Sequence, residues 1–201
     1  MYPRRFGLTS FPRALGEPQN PRATAAGFFF VQTSAWVAGG HANPDNRDLS
    51  LSISAEPFDS QDAQRLIAAL DAGLAELYPP EQRFGPNLKA QHLEGGRGAF
   101  LVARDGGRAV GCGAIRLIDA QTAEVKRMYV EPDQRGRGVG RAVLTSLEAA
   151  ARRLRARRLV LETGTHSPEA LGLYRRAGFT QIDCWGEYAT SPTSVCLEKK
   201  L

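Results

Sequence analysis

Glu124-Val125-Lys126-Arg127-Met128-Tyr129-Val130-Glu131-Pro132-Asp133-Gln134-Arg135-Gly136-Arg137-Gly138-Val139-Gly140-Arg141 is the stretch that decides the fold. Residues 124–130 read as a strand, and Pro132 stops it. Gly136, Gly138 and Gly140 then space a short loop, after which Val139, Val143, Leu147, Ala150 and Leu154 recur at helical period, predicting a helix over about 138–154. Closely spaced glycines let the backbone turn tightly, aim several N–H groups at one point and admit an anion where a Cβ would block it. The helix start adds its dipole and its unpaired N–H donors. Strand, glycine-rich loop and helix together describe a cradle for a pyrophosphate, with Arg135, Arg137 and Arg141 on its rim.

The loop is not a nucleotide triphosphate motif, because no Gly-Lys-Ser/Thr follows it. Nor does it fit the dinucleotide fingerprint, which opens the first βα unit and needs a ribose-binding acid about 20 residues on.

Upstream, Leu49, Leu51, Ile53 and Ala55 alternate with Ser50, Ser52, Ser54 and Glu56, the period of a half-buried strand. A helix follows, capped by Asp59 or Ser60, with Leu66, Ile67, Leu70, Leu74 and Leu77 on its apolar face, and Tyr78-Pro79-Pro80 ends it. The region 81–96 reads as a second short helix with loops. Strands at 100–103 and 109–115 are joined by Asp105-Gly106-Gly107, a hairpin signal. Downstream come a strand at 159–163, a helix over 168–177, and strands near Phe179 and Val195. The order predicts an α/β fold: one mixed sheet with helices packed on it. Residues 1–48 hold five prolines and no regular period, and read as an irregular N-terminal extension to a domain at 49–201.

With 201 residues, of which 42% are hydrophobic, the chain suits one domain with a core of its own. Cys112, Cys184 and Cys196 are an odd, widely spaced set, and are expected to be reduced and buried. The net charge of +5 is carried mainly by arginine, and ten basic residues fall between Lys126 and Arg158 against Glu131, Asp133 and Glu148. A positive field beside the glycine loop favours a phosphate-bearing small molecule over nucleic acid. The arginines at 152–158 read as the solvated end of a helix, where cations suit the dipole. The apolar run at 25–38 is too short to span a bilayer and lacks a signal-peptidase pattern, so a cytoplasmic protein without membrane attachment is expected. His41, His92 and His166 are scattered, and no metal site is expected.

The run Val125 to Pro132 with Gln134 to Gly140 resembles the strand and R-x-x-G-x-G/A loop of the GCN5-related N-acetyltransferase (GNAT) superfamily. A second match follows in the right order: Leu161-Glu162-Thr163, then Ser167-Pro168-Glu169-Ala170-Leu171-Gly172-Leu173-Tyr174-Arg175-Arg176-Ala177-Gly178-Phe179, resembles the family's next strand and its A-x-x-L-Y-x-x-x-G-F helix. The likeness is sharp over 124–179. It implies a mostly antiparallel sheet with one splayed parallel pair and helices on both faces. It also implies acetyl-CoA as donor, a primary amine as acceptor, and an enzyme with no metal; a homodimer is compatible with it.

By this resemblance Met128, Tyr129 and Val130 offer main-chain groups to the pantetheine arm, with an N–H near Val130 at the developing oxyanion. Arg135, Gly136, Arg137, Gly138, Val139, Gly140 and Arg141 take the pyrophosphate. Tyr174 matches the position that protonates the leaving thiolate, a role a phenol of ordinary pKa ~10 can fill at neutral pH. Two acids compete for the base. Glu124 resembles the glutamate of histone-type members and Glu162 that of the ribosomal-protein N-terminal acetyltransferases; each is alternatively an ion-pair member, with Arg127 or Arg175 as partner. Ser167 stands where many members have an asparagine that holds the cofactor's arm, and it can cap the helix that follows. The acceptor is expected near Tyr78, Arg83, Phe84 and His92, because loops over a rigid sheet carry specificity. The competing class is a non-catalytic acyl-CoA sensor or nucleic-acid binder.

Overall fold

The computed structural model describes residues 50–82 and 88–201. The extension expected at 1–48 and the acceptor candidates Arg83 and Phe84 lie outside the described residues. Among the described residues seven strands and three α-helices follow one another as β1 (Leu51–Glu56), α1 (Gln61–Leu77), β2 (Gly98–Asp105), β3 (Arg108–Leu117), β4 (Thr122–Val130), α2 (Val139–Arg153), β5 (Arg158–Gly164), α3 (Pro168–Arg176), β6 (Thr180–Ile182) and β7 (Ser194–Lys200). The strands form one sheet in the order β1-β2-β3-β4-β5-β7-β6. Every neighbouring pair is antiparallel except β4 and β5.

Local chemistry accounts for the boundaries. Ser60 is the N-cap of α1, its hydroxyl accepting from the Ala63 N–H at 3.2 Å, and the Pro-Pro pair after Tyr78 ends the helix. The β2–β3 hairpin turns on Gly106 and Gly107 with φ of 55° and 87°, the left-handed pair that a tight two-residue turn requires. The region 81–96 departs from expectation. Among the described residues there, two single 3₁₀ turns, Pro80–Gln82 and Ala90–His92, stand in place of a helix. The region lacks the apolar repeat that would hold a longer helix against the sheet.

The pleat sends alternate strand residues into two cores. Leu101, Ala103, Val110, Ile115, Ala123 and Val125 meet Val143, Leu144 and Leu147 of α2, and Phe100, Val102, Ala109 and Ala114 meet Ala63, Leu66 and Ile67 of α1. Each fully buried Leu, Val or Phe side chain contributes about 1.5–3 kcal/mol, so the two helices clamp the sheet from opposite faces.

Cysteine pairing corrects the sequence reading. Cys112 is free and buried, as expected, but Cys184 and Cys196 form a disulfide. Ile182 lies opposite Cys196 in the β6–β7 register, and the chain leaving β6 brings Cys184 back over β7. That return follows from the short antiparallel pair, which the spacing of the cysteines alone does not reveal. Closing a loop of this size stabilises a fold by about 3 kcal/mol in the chain-entropy model.

Candidate active site

The parallel pair holds for three residues only: Thr122 opposite Arg158, Ala123 opposite Leu159 and Glu124 opposite Val160. Beyond Glu124 the strands part. β5 remains tied to β7 along its whole length and β4 to β3. The parting coincides with a bulge in β4: between Cys112 and Ala114 the β3–β4 register slips and Arg127 with Met128 stands against Gly113 alone. Arg127 takes the left-handed conformation with φ of 55°, and its carbonyl accepts from the Cys112 thiol at 3.3 Å. Gly113 permits the crowding, because a Cβ there would sit 2.8 Å from both Met128 Sδ and Leu147 Cδ1.

The parting opens a cleft of about 600 Å³ whose lining includes Asp71, Tyr78, Glu124, Lys126, Arg127, Met128, Glu162, Ser167, Tyr174 and Tyr188. Several sequence candidates thus meet in one place. Ser167 stands at the N-terminus of α3, but its side chain makes no capping bond, contrary to expectation; Pro168, at the first helical position, needs no acceptor for an N–H.

The glycine loop follows β4 and leads into α2. Gly136 and Gly138 have φ of 75° and 86°, and a Cβ added to either would meet no atom within 4 Å. The loop is an open cradle at the start of α2, capped by Gly138 without a side chain. Arg135 Nε donates to the Val130 carbonyl at 3.0 Å and Arg141 Nη1 to the Arg176 carbonyl at 3.2 Å. Arg137 donates to Gln134 Oε1 at 2.5 Å and lies 3.6 Å from the Asp105 carboxylate. The Val139 side chain is buried in the α2 core, and the Tyr129 hydroxyl donates to Glu131 at 3.0 Å. Their side chains are structural, which leaves main-chain groups as what they can offer a ligand.

The two glutamates differ. Glu124, with a side chain 1% exposed, receives Arg116 Nη2 at 2.7 Å, Lys126 Nζ at 3.3 Å and the Tyr188 hydroxyl at 3.2 Å. Its ion-pair partners are therefore Arg116 and Lys126; Arg127, the partner weighed from sequence, bonds Asp71 of α1 instead. Glu162 accepts from the Ser194 hydroxyl at 2.6 Å and forms no salt bridge among the described residues, Arg175 included. Burial pushes the Glu162 carboxyl above its usual range, against the opposing pull of the Ser194 hydrogen bond and of Lys126. Burial also lowers the Lys126 ammonium, whose Nζ donates to the Tyr188 hydroxyl at 2.6 Å.

Tyr174 is 5% exposed, stacks edge-on against Phe179 and lines the cleft. Its hydroxyl makes no hydrogen bond among the described residues. Since no fully buried polar side-chain atom there lacks a partner, the hydroxyl reaches the cleft. Burial and the nearby Glu162 raise its pKa well above that of an ordinary phenol.

Of the acceptor candidates, Tyr78 lines the cleft, and its hydroxyl accepts from the His166 N–H at 2.8 Å. His92 does not line it; its Nδ1 accepts from the Lys89 N–H at 3.1 Å within its own turn, too local an arrangement to reach the sheet. Sequence reasoning missed Lys126, Tyr188 and Ser194 as site residues. Tyr188 lies in the 3₁₀ turn Gly186–Thr190, where no periodicity marks it. Ser194 alternates with Cys196 at the start of β7, a pattern that identifies a face but not what it touches.

The family model for the Acetyltransferase (GNAT) family matches residues 65–179, from α1 through the end of α3. The chain belongs to the GNAT family. It is an acetyltransferase, with the motifs of that family at its parted strands and glycine loop. An IAA acetyltransferase of Azospirillum brasilense is 41% identical over 138 residues, 68% of this chain and 89% of that one. The N-alpha-acetyltransferase RimI of Mycobacterium tuberculosis is 32% identical over 124 residues, 60% of this chain and 74% of that one. Among solved structures, one from Klebsiella pneumoniae assigned to the acyl-CoA N-acyltransferases is 36% identical with a TM-score of 0.64, covering 76% of this chain and 98% of that one. A GNAT acetyltransferase from Elizabethkingia anophelis, solved with acetyl-CoA bound, shares the fold at 20% identity and a TM-score of 0.56, covering 75% and 98%. Among the described residues no group of His, Cys, Asp and Glu is arranged to hold a metal ion, and no helix is long and apolar enough to cross a membrane.

Proposed function

We propose that the cleft transfers an acetyl group directly from acetyl-CoA to a primary amine, with Glu162 as general base and Tyr174 as general acid. The observation that carries this reading is that a carboxyl made more basic by burial and a phenol with an uncommitted hydroxyl line one cleft, formed where β4 leaves β5. An alkylammonium must lose a proton before it can attack, and Glu162 takes it, directly or through water. The amine nitrogen then bonds to the acetyl carbon as the carbon–sulfur bond breaks, Tyr174 protonates the departing thiolate, and the second proton shed by the nitrogen as it becomes an amide restores the phenol by way of solvent. A main-chain N–H near Val130 on the parted edge of β4 serves the oxyanion.

The residues present fit acetyl-CoA. The open cradle of Gly136 and Gly138 offers main-chain N–H groups and the α2 dipole to a pyrophosphate, and Arg135 and Arg141 keep their charge free of carboxylate partners among the described residues. The unpaired edge of β4 beside Met128 offers a peptide-like partner to the pantetheine amides. Ser167 and Tyr78 line the cleft and serve as contacts for the arm and for the acceptor.

The test is incubation with acetyl-CoA and a pooled library of amino acids, polyamines, aryl and alkyl amines and peptides. Thiol release and mass spectrometry of the products are the readouts. Amine-dependent release with an N-acetylated product is expected; no release above the amine-free rate across the library would overturn the reading.

A further inference from the structure

The segment 184–196, here called the strap, is closed by the Cys184–Cys196 disulfide and supplies one wall of the cleft. In the β5–β7 register Glu162 stands directly opposite Cys196 and Gly164 opposite Ser194. Side chains two apart on a strand share a face, so the bridge and the Ser194 hydroxyl occupy the same side of β7 as they meet β5. Ser194 Oγ lies 2.6 Å from Glu162 Oε1, and Ser191 Oγ lies 2.9 Å behind it. The same segment places Tyr188 on Glu124 and Lys126. We propose that Ser194 is the positioning residue for the Glu162 carboxylate and that the Cys184–Cys196 bridge holds it in place.

The inference rests on the proposed role of Glu162 as base. Glu162 is faced by Lys126 and Glu124 from β4, Tyr174 from α3, Tyr188 from the strap and Ser194 from β7. Of these, Ser194 donates directly to the carboxylate, favouring its charged form and fixing its rotamer. Without that bond the carboxyl binds its proton more tightly. The base is then available over a narrower range at acidic pH. A dithiol such as dithiothreitol reduces the bridge to two thiols, itself becoming the cyclic disulfide, and frees the strap from β7.

The experiment is the pH profile of kcat/KM for the full chain, at saturating acetyl-CoA, in the wild type and in Ser194→Ala, Ser194→Thr, Cys184→Ser and Glu162→Gln. In Ser194→Ala the ratio of the rate at about pH 6 to that at about pH 8 is expected to fall at least about threefold, with melting temperature little changed; a hydroxyl that merely packs would move no limb of the profile. Ser194→Thr, which keeps the hydroxyl, retains the wild-type profile. Cys184→Ser and the dithiothreitol-treated wild type shift the ratio in the same direction as Ser194→Ala. If Glu162→Gln is inactive while Ser194→Ala keeps the wild-type ratio, this inference is wrong and the base assignment stands. If Glu162→Gln is fully active, the base assignment itself is wrong. Should Ser194→Ala fold poorly, Cys184→Ser with an unshifted ratio overturns the role of the bridge.

Discussion

Arg116 and Glu124 stand opposite each other on β3 and β4, and both Nε and Nη2 of the arginine reach the same carboxylate oxygen at 2.7 Å. Lys126 and Tyr188 take the other oxygen, so this carboxylate joins three side chains from two strands and the strap. Removing it leaves two cations without their counter-charge in a largely dry setting. Glu124→Ala is expected to lose about 3 kcal/mol, seen as a lower denaturant midpoint. Glu124→Gln keeps the shape and an acceptor, and its rate should stay within about tenfold of wild type, less than loss of a general base produces. A drop of about a hundredfold with the fold intact would transfer the base role from Glu162 to Glu124.

Gly138 opens α2 with φ of 86° and faces open space. Alanine there takes on a strained backbone, at a cost of about 1 kcal/mol, and places a methyl in the cradle. Gly138→Ala should raise KM for acetyl-CoA about tenfold or more and leave kcat at saturation nearly unchanged. Isothermal titration with CoA gives the same answer without turnover. Equal CoA affinity in Gly138→Ala and wild type would remove the pyrophosphate from this loop.

The strand, loop and helix from Glu124 to Leu154 were legible because each carries a local mark: a run stopped by Pro132, closely spaced glycines, a helical stripe. The hairpin at Gly106 and Gly107 was legible for the same reason. What escaped was set by tertiary contacts. Arg127 at a left-handed bulge is a residue whose type gives no notice of that conformation, and the bulge lies where the strands have parted. Tyr188 reaches Glu124 across 64 positions of sequence, and Cys184 meets Cys196 through a β6–β7 pairing only three residues long. Glu124 and Glu162 look alike in sequence, and only their neighbours, Arg116 for one and Ser194 for the other, tell them apart.

Alkaline pH should weaken the fold through protons it holds more tightly than the unfolded chain does. Burial pushes the Cys112 thiol up to about 12, and raises Tyr174 and Tyr188 as well. For such groups the folded state's advantage is whole below the unfolded pKa, ~8.5 for a thiol and ~10 for a phenol, and is lost as pH rises through the folded value. Lys126, lowered by burial, works the other way, one group against three. The urea midpoint should fall from about pH 9 upward, and the fall should begin about a unit later in Cys112→Ala, which lacks the thiol. Midpoints that stay level from about pH 8 to about pH 11 would contradict the burial of these three groups.

Tyr174 presents a hydroxyl to the cleft while its ring packs on Phe179 at 5.8 Å between centroids. Phenylalanine keeps that ring contact and abandons no hydrogen bond within the described protein, so stability should change by less than about 1 kcal/mol. The chemistry should suffer much more. With its pKa raised by burial and by Glu162, the phenol stays protonated across the neutral range and is a donor whenever the thiolate leaves. Loss of a general acid reduces turnover about 10²–10⁴-fold, and in the proposed role the hydroxyl acts at bond breaking and not in holding the arm, so KM for acetyl-CoA should move by no more than about twofold. An intact melting temperature beside a collapsed kcat is the expected pattern in Tyr174→Phe. A kcat within about threefold of wild type would reduce Tyr174 to a packing residue and leave the leaving thiolate to be protonated by solvent.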